Sequence, residues 1–415
     1  MPELRGRAEI LILGAGLQGA GVALELARRG IASTLIDQDE RALNRASLRN
    51  EGKIHLGFIY ANDPSLATAR LQLAGALRFR AIVERWMPGA DWLSTSVPFH
   101  YLVANDSIVA PAALHQHYRA VNTDYRERIA ADPSLDYLGE RPDSLVGDLT
   151  NGDIAAYFAP ARFIAGFATQ ERAIDTGRLA ACIRTAIDAS PHIRFEPRRT
   201  VRTVAATSNG YRVEGDGPDG PWSIEADQVV NAAWERRLAL DAQLGIGASD
   251  GVLHRLKYRV IVRLPERLRG APSVSMVLGR YGDLVVRSDG TAYLSWYPAG
   301  LRGWTHDLEP PAEWNAACRG EPAADLAREV AQGILLGMDA WFPGVATAEP
   351  LVIDAGAIVA YGHSDVDHKG SGLHDRTRIG VCSHGGWHSV DPGKLTTAPA
   401  FAVEAADRVA AYAAQ

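Results

Sequence analysis

At 415 residues, 47% hydrophobic and 22% charged, the chain has the composition of an ordinary globular protein with room for two packed cores. A net charge of −6 and a pI near 6.1 provide no basic field for gripping nucleic acid or anionic lipid, so neither is an expected partner, and no apolar run approaches the ~18 residues of a membrane span. Cys182, Cys318 and Cys382 are widely spaced with no CxxC, which argues against a disulfide framework and against a zinc site; no metal is expected.

In chain order, residues 1–7 are polar and lead straight into an apolar strand at 10–13, leaving no room for a signal peptide; a reducing cytoplasm is the expected compartment. Next come Gly14-Ala15-Gly16-Leu17-Gln18-Gly19, a helix through Arg29, a turn at Gly30 and a second strand ending Thr34-Leu35-Ile36-Asp37. Strand, glycines, helix, strand and acid in this order make the dinucleotide-binding fingerprint in its required context. Gly14 permits the sharp turn, Gly16 lets backbone approach a pyrophosphate, and Gly19 lets the helix lie close on the sheet. The helix amides then face the phosphates, while Asp37, with Gln38 beside it, accepts hydrogen bonds from a ribose diol and repels a 2′-phosphate, which disfavours NADP. The fingerprint alone leaves FAD and NAD open.

After Asp37 the chain departs from the strand–helix repeat of an NAD domain. A polar loop over 41–60 contains Ser47-Leu48-Arg49-Asn50-Glu51-Gly52-Lys53-Ile54-His55-Leu56-Gly57, and a helix follows over 65–84. So early an excursion points to a flavin fold with a segment reserved for the isoalloxazine. Strands within 92–104 and a helix over 111–131 open a second domain. A helix over 178–189, with Thr176 as its cap, and strands at 193–195, 200–205, 211–214, 222–224 and 228–233 return to the nucleotide domain, where the small pair Ala232-Ala233 lets backbone approach the cofactor again.

From His254, strands at 258–264, 273–278, 283–287 and 292–297, with Ser288-Asp289-Gly290-Thr291 as a hairpin turn, predict an antiparallel sheet with one face packed and one lining a cavity. A helix over 323–336 and Trp341-Phe342-Pro343-Gly344 close this domain. Strands near 355–361 and 378–382, a loop over 383–394 and a helix over 397–413 end the chain. The expected class is α/β: a discontinuous Rossmann-like FAD-binding domain from 1–84, 170–240 and 350–415, and an α+β substrate domain from 85–169 and 241–349 built on the antiparallel sheet. A second fingerprint for NAD(P)H is missing, since Gly245-Ile246-Gly247 follows no suitable apolar strand.

Three separated stretches align with one pattern. The glycines at 14–19, the loop Ser47-x-x-Asn50-x-Gly52-x-Ile54-His55-x-Gly57 and the segment Gly393-Lys394-Leu395-Thr396-Thr397 resemble the flavoprotein superfamily that includes D-amino-acid oxidase, glycine and sarcosine oxidases, glycerol-3-phosphate dehydrogenase and L-2-hydroxyglutarate dehydrogenase. The loop is close to that of the L-2-hydroxyglutarate group, and the last segment is similar to the C-terminal flavin loop of glycerol-3-phosphate dehydrogenases. Two departures stand out: Trp234 occupies a position where many relatives carry glycine, and Asp37 replaces the more usual Glu.

The resemblance implies FAD as cofactor. It would be held by Gly14, Ala15, Gly16, Gln18 and Gly19 at the pyrophosphate, by Asp37 and Gln38 at the ribose, and by Ser47, Asn50, Gly52, Lys53, Ile54 and His55 around the flavin. Val201, Ala232, Gly393, Lys394, Leu395 and Thr396 complete the cofactor set. The opening of the last helix would face the pyrimidine edge, which becomes negative when the ring is reduced.

The implied activity moves a hydride from a carbon bearing an amine or hydroxyl, on a small anionic substrate, to flavin N5. Candidates for the chemistry are His55 as proton acceptor; His384, in the glycine-rich Ser383-His384-Gly385-Gly386-Trp387-His388, as part of an active-site wall; and Arg376, Arg259 and Arg287 as guanidinium partners for a carboxylate or phosphate. Tyr258, Trp296 and Tyr297 are candidates for the pocket lining. No motif signals a covalent flavin link, for which Cys382 and His384 are only positional candidates. The acceptor that reoxidises the flavin is left open between oxygen and another species. The rival readings are an NADPH-fed flavin monooxygenase, a non-catalytic FAD-holding accessory protein and an NAD dehydrogenase.

Overall fold

A computed structural model describes residues 4–247 and 251–414; the first three residues of the polar start lie outside this range. The Leu4–Leu13 strand ends in Leu11, Ile12 and Leu13, all fully buried, because it lies in the middle of a parallel sheet with neighbours on both edges and cover on both faces. Gly220–Asn231 pairs with it on one side and Ser33–Ile36 on the other; Trp387–Asp391 and Ile193–Glu196 extend the sheet outward, all parallel. Thr200–Thr207 and Gly210–Gly217 form an antiparallel meander on Gly220–Asn231, and Gly380–His384 pairs antiparallel with Trp387–Asp391.

Helices Leu17–Arg28, Ala67–Trp86 and Ala398–Ala413 pack together on one side of this sheet. Their contact depends on small residues. A Cβ on Gly21 would stand 2.6 Å from the Trp86 ring and 3.0 Å from the Ala402 Cβ; one on Gly19 would stand 1.9 Å from the Gly14 carbonyl oxygen, where the first helix lies on its own strand.

Among the described residues the second sheet has nine strands. Val252–Arg263 pairs along its length with Glu349–Tyr361 and over shorter stretches with Leu301–Thr305 and Thr291–Trp296. Gly282–Val286, Ser273–Val277, Phe99–Ala104, Phe163–Thr169 and Val146–Asp148 follow in spatial order, and Ser273–Val277 and Phe99–Ala104 are parallel. Alternation along Val252–Arg263 decides what each face does. Leu256, Tyr258, Val260 and Val262 pack into a core with Ile334 and Met338 of the Ala324–Asp339 helix, so Arg255, Lys257 and Arg259 turn the other way.

Several elements differ from the sequence expectation. Residues 222–224 and 228–233 fall in or next to a single strand, Gly220–Asn231. The expected loop over 383–394 contains the strand Trp387–Asp391, because Trp387 and Val390 are buried and the backbone pairs with Gly220–Asn231. The helix Thr176–Ala189 is capped by Asp175, whose carboxylate accepts the Gly177 and Arg178 N–H groups, while the Thr176 hydroxyl donates to the Leu48 carbonyl instead. Among the described residues, no helix is long and apolar enough to cross a membrane, and no group of three His, Cys, Asp or Glu side chains could hold a metal ion.

Where the three helices meet, Glu25 is fully buried; it accepts from Arg28, Arg29 and Trp86 and is ion-paired with Arg85, all at 2.9–3.0 Å. Burial alone would raise its pKa, but Arg28, Trp86, Arg29 and Arg85 outweigh it and bring the carboxyl from 4.5 to about 2. A folded-state pKa below the unfolded value contributes stability above pH 4.5 that is lost as pH falls toward 2. Glu25→Ala should cost about 3 kcal/mol at neutral pH, and the gap from wild type should narrow on acidification when both are unfolded in denaturant across that window.

Candidate active site

The parallel strands deliver Leu13, Ile36, Asn231 and Asp391 to one edge of the first sheet, and the main cleft opens there, as expected for a parallel sheet. It encloses about 1560 Å³ up to its open mouth. Gly14, Gly16 and Gln18 from the start of the chain and Gly393, Lys394 and Leu395 from near its end line the same space, together with Asp37, Gln38, Ser47, Asn50, Lys53, His55, Val201 and Ala232. Gly14, at φ +92°, has a conformation suited to glycine, and a Cβ there would meet the Ala232 carbonyl oxygen at 2.7 Å. The Asp37 carboxylate accepts the Ala15 N–H at 2.6 Å and the Asp39 N–H at 2.8 Å, and burial pushes its pKa up to about 6.

Ala15, Gly19, Gly52, Ile54 and Thr396, expected as cofactor contacts, stand behind the lining. Gly52 is backed by the Ile174 carbonyl, which a Cβ would approach to 2.1 Å, and Ile54 pairs with Arg172 in a two-stranded ladder. The Thr396 hydroxyl oxygen accepts the His55 N–H at 2.8 Å, so it ties the two cofactor-side loops together. Trp234 has φ +45°, the left-handed conformation that glycine would adopt easily, and its indole N–H donates to the Ala357 carbonyl at 2.9 Å on the cleft wall.

A second cavity of about 830 Å³ lies between the cleft and the second sheet. The two share Glu51, Lys53, His55, Lys257 and Lys394. Five cationic side chains line the second cavity, Lys53, Arg255, Lys257, Arg376 and Lys394, against two carboxylates, Glu51 and Asp283. Lys53 donates to Ser275 and, at 2.9 Å, to Asp283; Lys53, Lys257 and Ser275 overcome the effect of burial and hold Asp283 ionised. Burial also opposes the charge of Lys257, but Tyr293, Tyr297, Asp283 and Glu51 outweigh it and raise its pKa.

Away from the shared wall, Arg255 donates to the Tyr297 hydroxyl at 2.8 Å and faces Asp365 at 3.5 Å, while Arg376 donates to the Val359 carbonyl at 3.0 Å. Burial and the neighbouring Arg255 lower the pKa of Arg376. The buried Tyr60 hydroxyl has no protein partner among the described residues, and burial raises its pKa so that it stays protonated.

His55 sits where cleft and cavity meet. Burial lowers its pKa and favours a neutral imidazole; Glu171, 3.8 Å from Nδ1, works in the opposite direction. Nε2 faces Glu51 at 3.9 Å.

The remaining candidates require correction. Arg259 shares the face of Arg255 and Lys257 but lies one step too far along the strand: it pairs with Asp354 at 2.6 Å and donates to the Leu48 and Asn50 carbonyls, bracing the loop without reaching either cavity. Tyr258 has the opposite parity and is core. His384 is exposed at the hairpin turn. Because Trp387–Asp391 runs parallel to Gly220–Asn231, its C-terminal end faces the cleft and the hairpin turn to Gly380–His384 lies at the far edge; the Ser383–His388 stretch therefore forms no active-site wall. Arg287 lines neither cavity, and Trp296 packs near Trp341, whereas Tyr297 does line the second cavity. Arg255, Lys257, Glu51, Tyr60 and Asp283 were missed. The odd-residue parity of Arg255-x-Lys257-x-Arg259 was visible in the sequence, but which end of that row meets the cavity depends on pairing with distant strands.

The cleft suits FAD. Its glycine cradle admits a group pressed against backbone, and two buried guanidinium nitrogens on its wall, Arg49 Nη1 and Arg199 Nε, have no protein partner among the described residues. The sequence profile of the DAO family, described as FAD dependent oxidoreductase, matches residues 9–408.

The chain is 28% identical over 236 residues to the FAD-dependent monooxygenase FPY4 of Fusarium mangiferae, covering 56% of this chain and 51% of that protein. It spans about half or less of the length of the curated relatives it matches. Among solved structures, glycine oxidase from Geobacillus kaustophilus superposes with a TM-score of 0.69 at 18% identity, over 98% of this chain and 95% of that one. L-α-glycerophosphate oxidase from Mycoplasma pneumoniae, with FAD bound, gives 0.61 at 18% identity over 97% and 94%. With a profile match over nearly its whole length on an α/β fold shared with these flavoproteins, the chain belongs to the DAO family of FAD-dependent oxidoreductases, and FAD is its cofactor.

Proposed function

We propose that the protein oxidises a small anionic substrate at a carbon bearing an amine or hydroxyl, with the substrate in the second cavity. The observation that carries this reading is the imbalance of five cations over two carboxylates on that cavity's walls, beside the stretch it shares with the cofactor cleft. Buried charge without a counter-ion is costly, and a substrate carboxylate or phosphate supplies one. Neighbours whose names include glycine oxidase and glycerophosphate oxidase support the same class. In this reading 1–84, 170–240 and 350–415 serve the cofactor and 85–169 and 241–349 the substrate.

Gly14, Gly16, Asp37, Ser47 and Lys394 are among the residues that would hold FAD, and bound FAD supplies the hydride acceptor. Arg255 and Arg376 grip the substrate anion, with the Tyr60 hydroxyl as an added donor. Neutral His55 takes the proton from the substrate amine or hydroxyl at Nε2. Lys257 and Lys394, on the shared wall, attract negative charge to the junction.

The direct test is anaerobic addition of glycine, sarcosine, L-proline, D- and L-amino acids, 2-hydroxy acids and glycerol 3-phosphate to the FAD-loaded protein while its visible spectrum is followed. At least one should bleach the flavin. If none does and NADPH is consumed with oxygen instead, the monooxygenase reading, which the Fusarium relative's name favours, replaces this one. Arg376→Met should raise KM for the bleaching substrate about 10- to 100-fold, the worth of a charge-assisted hydrogen bond, while the flavin spectrum is unchanged.

Burial and the positive charge of Arg376 bring Lys394 down to about 8; Arg255 and Lys257 act in the same direction and Glu51 opposes them. Its ammonium is therefore present below pH 8 and lost above it. KM for an anionic substrate should rise above about pH 8, and Lys394→Met should remove that rise.

A further inference from the structure

Behind His55, on the side away from both cavities, lies Glu171. The ladder that pairs Lys53 with Ala173 and Ile54 with Arg172 brings it opposite His55. Glu171 is fully buried; one carboxylate oxygen accepts the Leu56 N–H at 2.6 Å, and the other accepts the Tyr101 hydroxyl and lies 3.8 Å from His55 Nδ1. Among the described residues no Lys or Arg forms an ion pair with it, and Nδ1 itself is buried with no hydrogen-bond partner. A neutral carbonyl would serve Leu56 and Tyr101 as well; against burial, His55 and the charge of Lys53 hold the carboxylate ionised, so a charge kept at this point calls for another role. The proton position on an imidazole is set by what its second nitrogen faces.

We propose that Glu171 is a positioning residue for His55: it keeps the proton of the neutral ring on Nδ1, leaving the Nε2 lone pair on the cavity side free to take the substrate's proton. This rests on the reading of His55 as the base. The substrate N–H or O–H breaks, its proton moves to Nε2, and the bonding pair becomes the new C=N or C=O bond; bound FAD would supply the acceptor for the hydride that the carbon gives up. The imidazolium that results carries both ring protons and faces the Glu171 carboxylate. The other groups facing His55 are Glu51 at 3.9 Å, the Tyr60 ring edge-on at 5.7 Å, and the ammonium groups of Lys53 and Lys394, whose fields oppose protonation.

The test uses FAD-loaded protein with 15N-labelled histidine, the His55 signals being identified with His55→Asn. Wild type should show the Nδ1-protonated tautomer. In Glu171→Gln the Leu56 N–H claims the amide oxygen, so the amide nitrogen faces His55; the proton should move to Nε2, the His55 pKa should fall by about one unit, and bleaching by the best donor of the panel should slow at least about tenfold. An unchanged tautomer and pKa in a variant that still binds FAD would reduce Glu171 to a loop support. Tyr101→Phe removes a donor to Glu171 and keeps its charge, so the His55 pKa should rise by about half a unit; no rise overturns the proposal even where the Gln variant does not fold. If His55→Asn bleaches at the wild-type rate, the base reading fails, and the tautomer measurement still reports on Glu171.

Discussion

A segment with little regular structure must still find partners for its backbone groups, and residues 46–57, where only Lys53 and Ile54 lie in a strand, find many of theirs in side chains from remote parts of the chain. Arg259 takes the Leu48 and Asn50 carbonyls, Thr176 donates to Leu48, Tyr137 donates to Ile54, Glu171 accepts the Leu56 N–H, and Thr396 accepts the His55 N–H. His117 meets the Gly57 carbonyl. Each partner lost leaves a buried polar group unsatisfied, at a cost of about 1–3 kcal/mol. The loop is thus as rigid as the elements that surround it, which is what a surface pressed against a cofactor requires.

The same arrangement joins the two sheets. Arg259 extends from the second sheet to the loop that walls the cleft over the first, and its own charge is held by Asp354 on the neighbouring strand. Arg49 on the loop approaches the same Asp354 at 3.2 Å. One carboxylate therefore anchors a guanidinium from each side of the boundary. The wall common to cleft and cavity carries Lys53, Lys257, Lys394, Glu51 and His55, so charge placed in either space is felt in the other.

Much of this was legible in the chain because it is local. The glycine fingerprint, the following helix and the acid at Asp37 are dictated by turn geometry over forty residues, and Gly393 to Leu395 line the cleft where the family pattern placed them. Regular elements with clear periodicity, such as the Pro111–Ala131 helix, were recovered closely. The substrate side was not, since its walls come from strands whose order and direction are set by distant pairing. Choosing Tyr258 instead of Lys257 inverts one parity, and choosing His384 mistakes which end of a parallel strand faces the ligand. Glu171 carries no motif; its meaning arises only from the two-residue ladder that sets it beside His55.

The Thr396 hydroxyl meets an amide 341 positions earlier in the chain. During synthesis, then, a nascent polypeptide still short of that threonine holds the Ser47–Gly57 segment without its last anchor and a cleft lacking one wall. The complete cofactor cleft therefore forms only once residues 393–396 have folded onto the 47–57 segment, so the FAD-loaded state follows the joining of two segments more than three hundred residues apart.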